Sequence, residues 1–187
     1  DRKTYIFFSH TIKGQPYNMP SLKQMMAKKI NLIDYECIVN DKNQRLIFFG
    51  RFAGLAGMIN SFWSIGQRWK ELGILTPFLT LKQTHNYNSL DEAKNAVAKV
   101  AEEVKKGGLP RELEPLVVGV TGYGNVSRGA QEILDLFPVK EISPDELETT
   151  FSEGNKPDSL FYKVVFKEKD ISEPIDPDKE FVLQEYY

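Results

Sequence analysis

One stretch limits what this chain can fold into more than any other: Leu116-Val-Val-Gly-Val-Thr-Gly-Tyr-Gly-Asn-Val-Ser-Arg-Gly-Ala130. Leu116 to Val120 is a short apolar run rich in β-branched residues, the composition of a strand covered on both faces. Gly122 and Gly124 follow at once. Ala130, Ile133, Leu134 and Phe137 then recur at helical spacing. Strand, G-x-G and helix in that order form the dinucleotide-binding fingerprint. Gly122 permits the tight turn, and Gly124 lets the backbone approach a pyrophosphate seated on the helix N-terminus. The third fingerprint glycine is replaced by Ser127, which is small enough for close helix–strand packing, and Gly129 follows two residues later. The candidate cofactor contacts are therefore Gly122, Gly124, Asn125, Val126, Ser127 and Gly129. The alternative is an ordinary glycine-rich turn between strand and helix.

The rest of the chain supports an α/β fold of two lobes with parallel sheets. Thr4–Ser9 reads as a strand, and Leu22, Met25, Met26 and Ile30 give a short helix after Pro20. Asn31–Tyr35 is the next strand, so strand–helix–strand makes a parallel crossover. Arg45–Phe49 reads as a further strand. Gly50–Leu72 is one long helix, ~33 Å at 1.5 Å per residue. Its Gly50, Ala53, Gly54 and Gly57 share a stripe that suits a tight helix crossing or room for a ligand. Ser89-Leu-Asp-Glu92 is a capping box opening a helix that Gly107-Gly108 ends. Pro110 and Pro115 frame a linker. Val139–Ser143 is the second strand of the nucleotide lobe, Pro144-Asp-Glu-Leu starts a helix, and Leu160–Phe166 is another strand. Residues 152–157 read as a loop and 170–187 as a loop or partly ordered tail. We expect residues 1–110 to form a partial substrate lobe, incomplete at its N-terminus. Residues 111–187 should form a partial Rossmann-like nucleotide lobe, incomplete at its C-terminus, because a mononucleotide half needs βαβαβ.

Composition narrows the function. A net charge of −2 provides no broad basic field for nucleic acid or membrane. The single Cys37 excludes an internal disulfide, no Cys/His cluster suggests a metal, and an intracellular compartment fits. No apolar run reaches the ~18 residues of a membrane span.

Ligands of open α/β sheets sit beyond the carboxyl ends of the strands. His10 follows the first strand and Glu36 the parallel one, so the two should meet on one rim. Lys13 and Gln15 share the loop of His10, and Arg45 opens the next segment. A histidine, a carboxylate and cations together suit acid–base work on a carboxylate-bearing substrate. The competing readings are a backbone-bonded loop histidine and solvated cations. His85, in a polar connector, reads as structural, and Asp34 as bonding the neighbouring loop. Where an NAD site places a carboxylate, at the end of the second strand, this chain has Ser143, then Asp145. Lys140 or Arg128 could approach a 2′-phosphate there, so NADP(H) is expected ahead of NAD(H).

Four blocks carry a family resemblance: Phe8-Ser-His-Thr-Ile-Lys-Gly-Gln15, Leu32-Ile-Asp-Tyr-Glu36, Phe49-Gly-Arg-Phe-Ala-Gly-Leu-Ala-Gly-Met-Ile-Asn60 and Gly122-Tyr-Gly-Asn-Val-Ser-Arg-Gly-Ala-Gln131. In this order, from about Tyr5 to Tyr162, they resemble the lysine–ketoglutarate reductases. These are saccharopine dehydrogenases of the lysine-forming type, in the alanine dehydrogenase/transhydrogenase (PNT-like) superfamily. They form the reductase part of bifunctional aminoadipic semialdehyde synthases. The resemblance implies NAD(P)H-dependent condensation of L-lysine with 2-oxoglutarate to saccharopine, or the reverse, in the cytoplasm or mitochondrial matrix. It implies an acid–base role for His10 and a substrate site lined or tuned by Lys13, Glu36, Arg45 and Phe49. It also implies fusion to, or association with, a second saccharopine dehydrogenase activity. The family uses a further catalytic lysine upstream of the matching region, which bears on whether this segment is active alone. Two other readings stand beside it: an alanine dehydrogenase-like amino acid dehydrogenase, and a non-catalytic nucleotide-binding module.

Overall fold

The computed structural model describes residues 2–153, 155 and 157–186. Positions 154 and 156 of the expected loop and 187 of the expected tail lie outside them. The fold is α/β with two small parallel sheets, and contacts divide it into two compact units, Asp1–Phe49 and Gly50–Tyr187.

In the first unit, β1 (Thr4–Phe7) pairs in parallel with β2 (Asn31–Asp34), in the register Thr4↔Asn31 through Phe7↔Asp34. The connection runs through α1 (Met19–Ala27), which has Pro20 in its first turn, where a missing N–H costs nothing. Lys29, at φ 51°, turns the chain out of α1 and into β2. The expected strand Arg45–Phe49 does not form. Among the described residues the segment keeps one isolated antiparallel bridge, Val39↔Arg45, and no strand. Asn40 explains why: its Oδ1 accepts from the N–H groups of Lys42 and Gln44, closing a tight turn. Beyond Leu46 N–H, which donates to the Ile38 carbonyl, no neighbouring strand among the described residues continues the ladder. Apolar character alone cannot hold a strand without a partner.

In the second unit, α2 (Gly50–Glu71), α3 (Leu90–Gly107), α4 (Asn125–Leu134) and the three-stranded sheet share one core. Phe62 and Phe78 stack within it, and Phe137 stacks on Phe161. The Ser89 cap forms, with its Oγ accepting from the Glu92 N–H. The Glu92 carboxylate instead takes the N–H of Asn88, one residue earlier than a capping box requires. Gly108, at φ 75°, ends α3.

The sheet comprises β3 (Leu116–Thr121), β4 (Val139–Ile142) and β5 (Phe161–Phe166), in the order β3-β5-β4, all parallel. A dinucleotide-binding half would pair its first two strands directly; here the third lies between them. β3 is therefore an edge strand with only Val120 buried, not the doubly covered strand its composition suggests. β5 takes the centre, burying Phe161, Tyr162, Lys163 and Val164. Lys163 is tolerated there because its ammonium reaches Asp135 and Glu141, each at 2.8 Å. Among the described residues the unit also contains the short α-helices α5 (Glu146–Phe151), α6 (Glu168–Ile171) and α7 (Leu183–Tyr186).

The glycine stripe of α2 is a helix crossing. A Cβ on Gly54 would lie 1.9 Å from the Val126 carbonyl oxygen, and one on Gly129 would lie 2.0 Å from that of Arg51. Gly57 has nothing within 4 Å. Gly129 thus packs against the α2 backbone. The packing boundary lies after Phe49, since α2 packs on α4 within the second unit.

Candidate active site

The first unit brings His10, Glu36 and Arg45 together. His10 sits in the loop after β1 with φ 54°, and its Nδ1 lies 3.3 Å from Glu36 Oε2. Arg45 Nη1 lies 3.6 Å from Glu36 Oε1. The Glu36 side chain is 5% exposed, against 57% for His10 and 43% for Arg45. A buried carboxyl group thus faces a solvent-reaching imidazole and a solvent-reaching guanidinium, and among the described residues its Oε2 has no hydrogen-bond partner. A buried carboxylate needs a compensating charge, and the Arg45 guanidinium is the fixed cation placed to provide it. Phe8 is the platform: His10 stacks on its ring at 5.8 Å, the Arg45 guanidinium lies 5.7 Å from its centroid, and Phe49 and Tyr35 pack edge-on.

Lys13 is exposed in the following turn and forms no ion pair among the described residues. Gln15 is spent locally, its Oε1 accepting from the Tyr17 hydroxyl at 2.8 Å. Asp34 bonds the neighbouring loop as its position suggests, and its partner there, Ser9, is the residue of the cluster that the sequence did not single out. Ser9 donates through its Oγ to Asp34 Oδ2, and Asp34 Oδ1 accepts from the Glu36 N–H at 2.9 Å. Burial pushes the Asp34 carboxyl up, but the hydrogen bonds from Ser9 and Glu36 outweigh this and hold it below its usual range. The bond from the Glu36 N–H follows from Asp34 standing two residues before Glu36, the spacing of an Asx turn.

In the second unit, Gly122 takes φ 80° and its N–H bonds the Phe166 carbonyl at 2.8 Å, tying the turn to the end of β5. Gly124 is the N-cap of α4, and no side chain caps that end. The first N–H groups of α4 thus remain available for an anion, as the cradle of a phosphate requires. A Cβ at Gly122 or Gly124 would meet nothing within 4 Å, so the approach is open. Val126 is exposed, whereas Ser127 is buried and its Oγ accepts from Gln131. Beyond the carboxyl ends of the three strands lies a groove of about 640 Å³, lined among others by Tyr123, Arg128, Ser143, Asp145, Lys167 and Lys169. Its acids are partly engaged: Glu141 pairs with Lys163, and Asp170 accepts from the Lys167 N–H. Lys140 is absent from the groove, being held by Asp158 at 2.7 Å. Among the described residues, no group of three or more His, Cys, Asp and Glu is placed to hold a metal ion, and no helix is long and apolar enough to cross a membrane.

Comparison with known proteins places this geometry in context. Alpha-aminoadipic semialdehyde synthase of Arabidopsis thaliana is 41% identical over 99% of this chain and 18% of its own length. The chain is homologous to a segment of alpha-aminoadipic semialdehyde synthase. The mitochondrial synthase of Rattus norvegicus is 42% identical over 82% of the chain and 17% of the synthase. That of Bos taurus is 38% identical over 95% of the chain and 20% of the synthase. The chain therefore spans about a fifth of the length of the synthases it matches. No protein-family model matches it.

Proposed function

We propose that this chain is part of an NAD(P)-dependent oxidoreductase of lysine metabolism. The reaction is the reductive condensation of L-lysine with 2-oxoglutarate to saccharopine, or its reverse. The observation that carries the reading is the His10–Glu36–Arg45 cluster at the carboxyl ends of two parallel strands, in a chain homologous to alpha-aminoadipic semialdehyde synthase. The assignment of substrate and nucleotide roles to the N- and C-terminal parts of the chain, and a mitochondrial location as named for the rat and bovine relatives, belong to the same proposal.

Condensation moves protons at each stage. The ε-ammonium must lose a proton before its nitrogen adds to the ketone carbon, and the carbinolamine hydroxyl must gain one to leave as water. His10 is suited to both transfers near neutral pH. Glu36 lies against Nδ1, so it supports the protonated ring and leaves Nε2 as the atom that meets substrate. Arg45, fixed over Phe8, and the exposed Lys13 are the groups that would hold substrate carboxylates. Gly122, Gly124, Asn125 and Val126 would hold the dinucleotide pyrophosphate, with Arg128, Lys167 and Lys169 favouring the 2′-phosphate of NADP(H). When bound, the reduced nicotinamide supplies the hydride that converts the imine to a secondary amine.

The test is steady-state kinetics on the full-length protein that carries this chain, with lysine plus 2-oxoglutarate against pyruvate plus ammonia. Turnover of the second pair alone would replace this reading by an alanine dehydrogenase-like one, and turnover of neither by a nucleotide-binding module. His10→Ala should lower kcat by ~10²–10⁴, the range for one acid–base group. Near-normal turnover of that variant across the pH range would remove His10 from the mechanism.

A further inference from the structure

Three hydrogen bonds converge on the serine beside His10. Its Oγ donates to Asp34 Oδ2, so it accepts from the Thr11 hydroxyl at 2.7 Å and from the Thr11 N–H at 3.2 Å. The last bond closes a small turn over His10, the residue between Ser9 and Thr11, whose backbone stands in the left-handed region at φ 54°. That region is unfavourable for a residue with a side chain and persists where surrounding bonds enforce it. From the other side, Asn18 Nδ2 donates to the His10 carbonyl at 3.0 Å. His10 is thus clamped through its backbone, while its ring reaches solvent.

Asp34 holds the other end of the clamp. Its Oδ1 caps the turn Tyr35–Cys37 by accepting from the Glu36 N–H. One carboxylate therefore binds both the loop that carries the histidine and the turn that carries its buried partner. The 3.3 Å approach of Nδ1 to Glu36 is not itself held by a hydrogen bond, since Glu36 Oε2 has none. Backbone anchoring is what sets that approach. We infer that Asp34, acting through Ser9, is a positioning residue that aligns His10 with Glu36; this rests on the acid–base role proposed for His10. Neither Ser9 nor Asp34 touches substrate in this role. Misplacing a reacting group by about 1 Å costs on the order of 10²-fold in rate, which makes such a brace visible in kcat.

The experiment uses the full-length protein assayed with lysine, 2-oxoglutarate and NADPH. Ser9→Ala should lower kcat by about 10- to 100-fold, with each substrate KM moving by less than about threefold. Ser9→Thr, which keeps the hydroxyl, should recover most of the loss. The deciding measurement is Ser9→Ala in a His10→Ala background, where the added loss should fall below about twofold because nothing remains to align. Should Ser9→Ala fail to give a folded protein by its thermal melt, Asp34→Asn carries the same comparison, since it keeps the shape and removes the charge. A kcat within twofold of the parent, or an equal loss with and without His10, overturns the inference. Normal turnover of His10→Ala alone would instead defeat the acid–base reading, a separate and earlier result.

Discussion

Gly54→Ala should separate α2 from α4. The new Cβ would lie 1.9 Å from the Val126 carbonyl oxygen, 2.7 Å from the Ala130 nitrogen and 2.9 Å from the Val126 carbonyl carbon. All three are backbone atoms, so no rotamer change relieves the clash. The helices must open until the nearest contact reaches at least 3.4 Å, ordinary van der Waals distance. That movement loosens Leu55 and Ile59 on α2 and Ile133 and Leu134 on α4, all buried. Overpacking of a dense core costs typically 1–3 kcal/mol, and a rigid backbone partner belongs at or above the upper end. The better helix propensity of alanine returns about 1 kcal/mol. The net is about 2–3 kcal/mol, or a fall in Tm of roughly 4–12 °C for a chain of this size. Gly57→Ala provides the internal control: its Cβ would meet nothing, so it should stabilise by about 0.5–1 kcal/mol. Urea unfolding followed by far-UV circular dichroism reads both variants. Equal effects at the two glycines, or a neutral Gly54→Ala, would refute the crossing.

Glu132 joins three helices, pairing with Arg51 at 2.7 Å and with Lys94. The Arg51 guanidinium, then the Lys94 ammonium, hold its carboxyl below the usual range. A lowered folded-state pKa adds stability above the ordinary carboxylate range, and that stability is lost as pH falls through the lowered value. Glu132→Gln should therefore cost about 1 kcal/mol near neutral pH, Arg51 being half exposed, and nearly nothing in strong acid, as pH-dependent melts would show. Lys163→Met, keeping the buried stem, should cost less than about 1.5 kcal/mol, whereas Lys163→Ala should cost about 2–4 kcal/mol by urea unfolding. On the proposed cofactor reading, Arg128→Ala should raise the KM for NADPH about tenfold while leaving that for NADH within about twofold; an equal change for both would remove Arg128 from 2′-phosphate binding.

Much of the local structure was legible in the sequence because local bonds decide it. The positive φ of Gly122 follows from a strand meeting a helix across G-x-G. The Ser89 cap, the Gly108 stop and the parallel pairing of β1 with β2 follow from residue type and connection length. Strand ends, once located, place His10 and Glu36 on one rim, and their 3.3 Å approach agrees. Arg45 reached the same cluster through a turn rather than a strand, because the Asn40 side chain closed the loop.

Tertiary structure decided what local pattern leaves open. Nothing within Leu160–Phe166 says that this strand enters between the other two, and that insertion is what leaves β3 at the edge. Gly54 and Gly57 look alike in a helical stripe, yet only one meets a carbonyl oxygen, because the angle of α4 selects the contact. Ser9 and Asp34 stand 25 positions apart, and only the parallel register of their strands brings hydroxyl to carboxylate. Residue type and short-range spacing determine the bonds a segment makes with itself. Which faces and strand edges meet depends on the shape that the other elements have already taken.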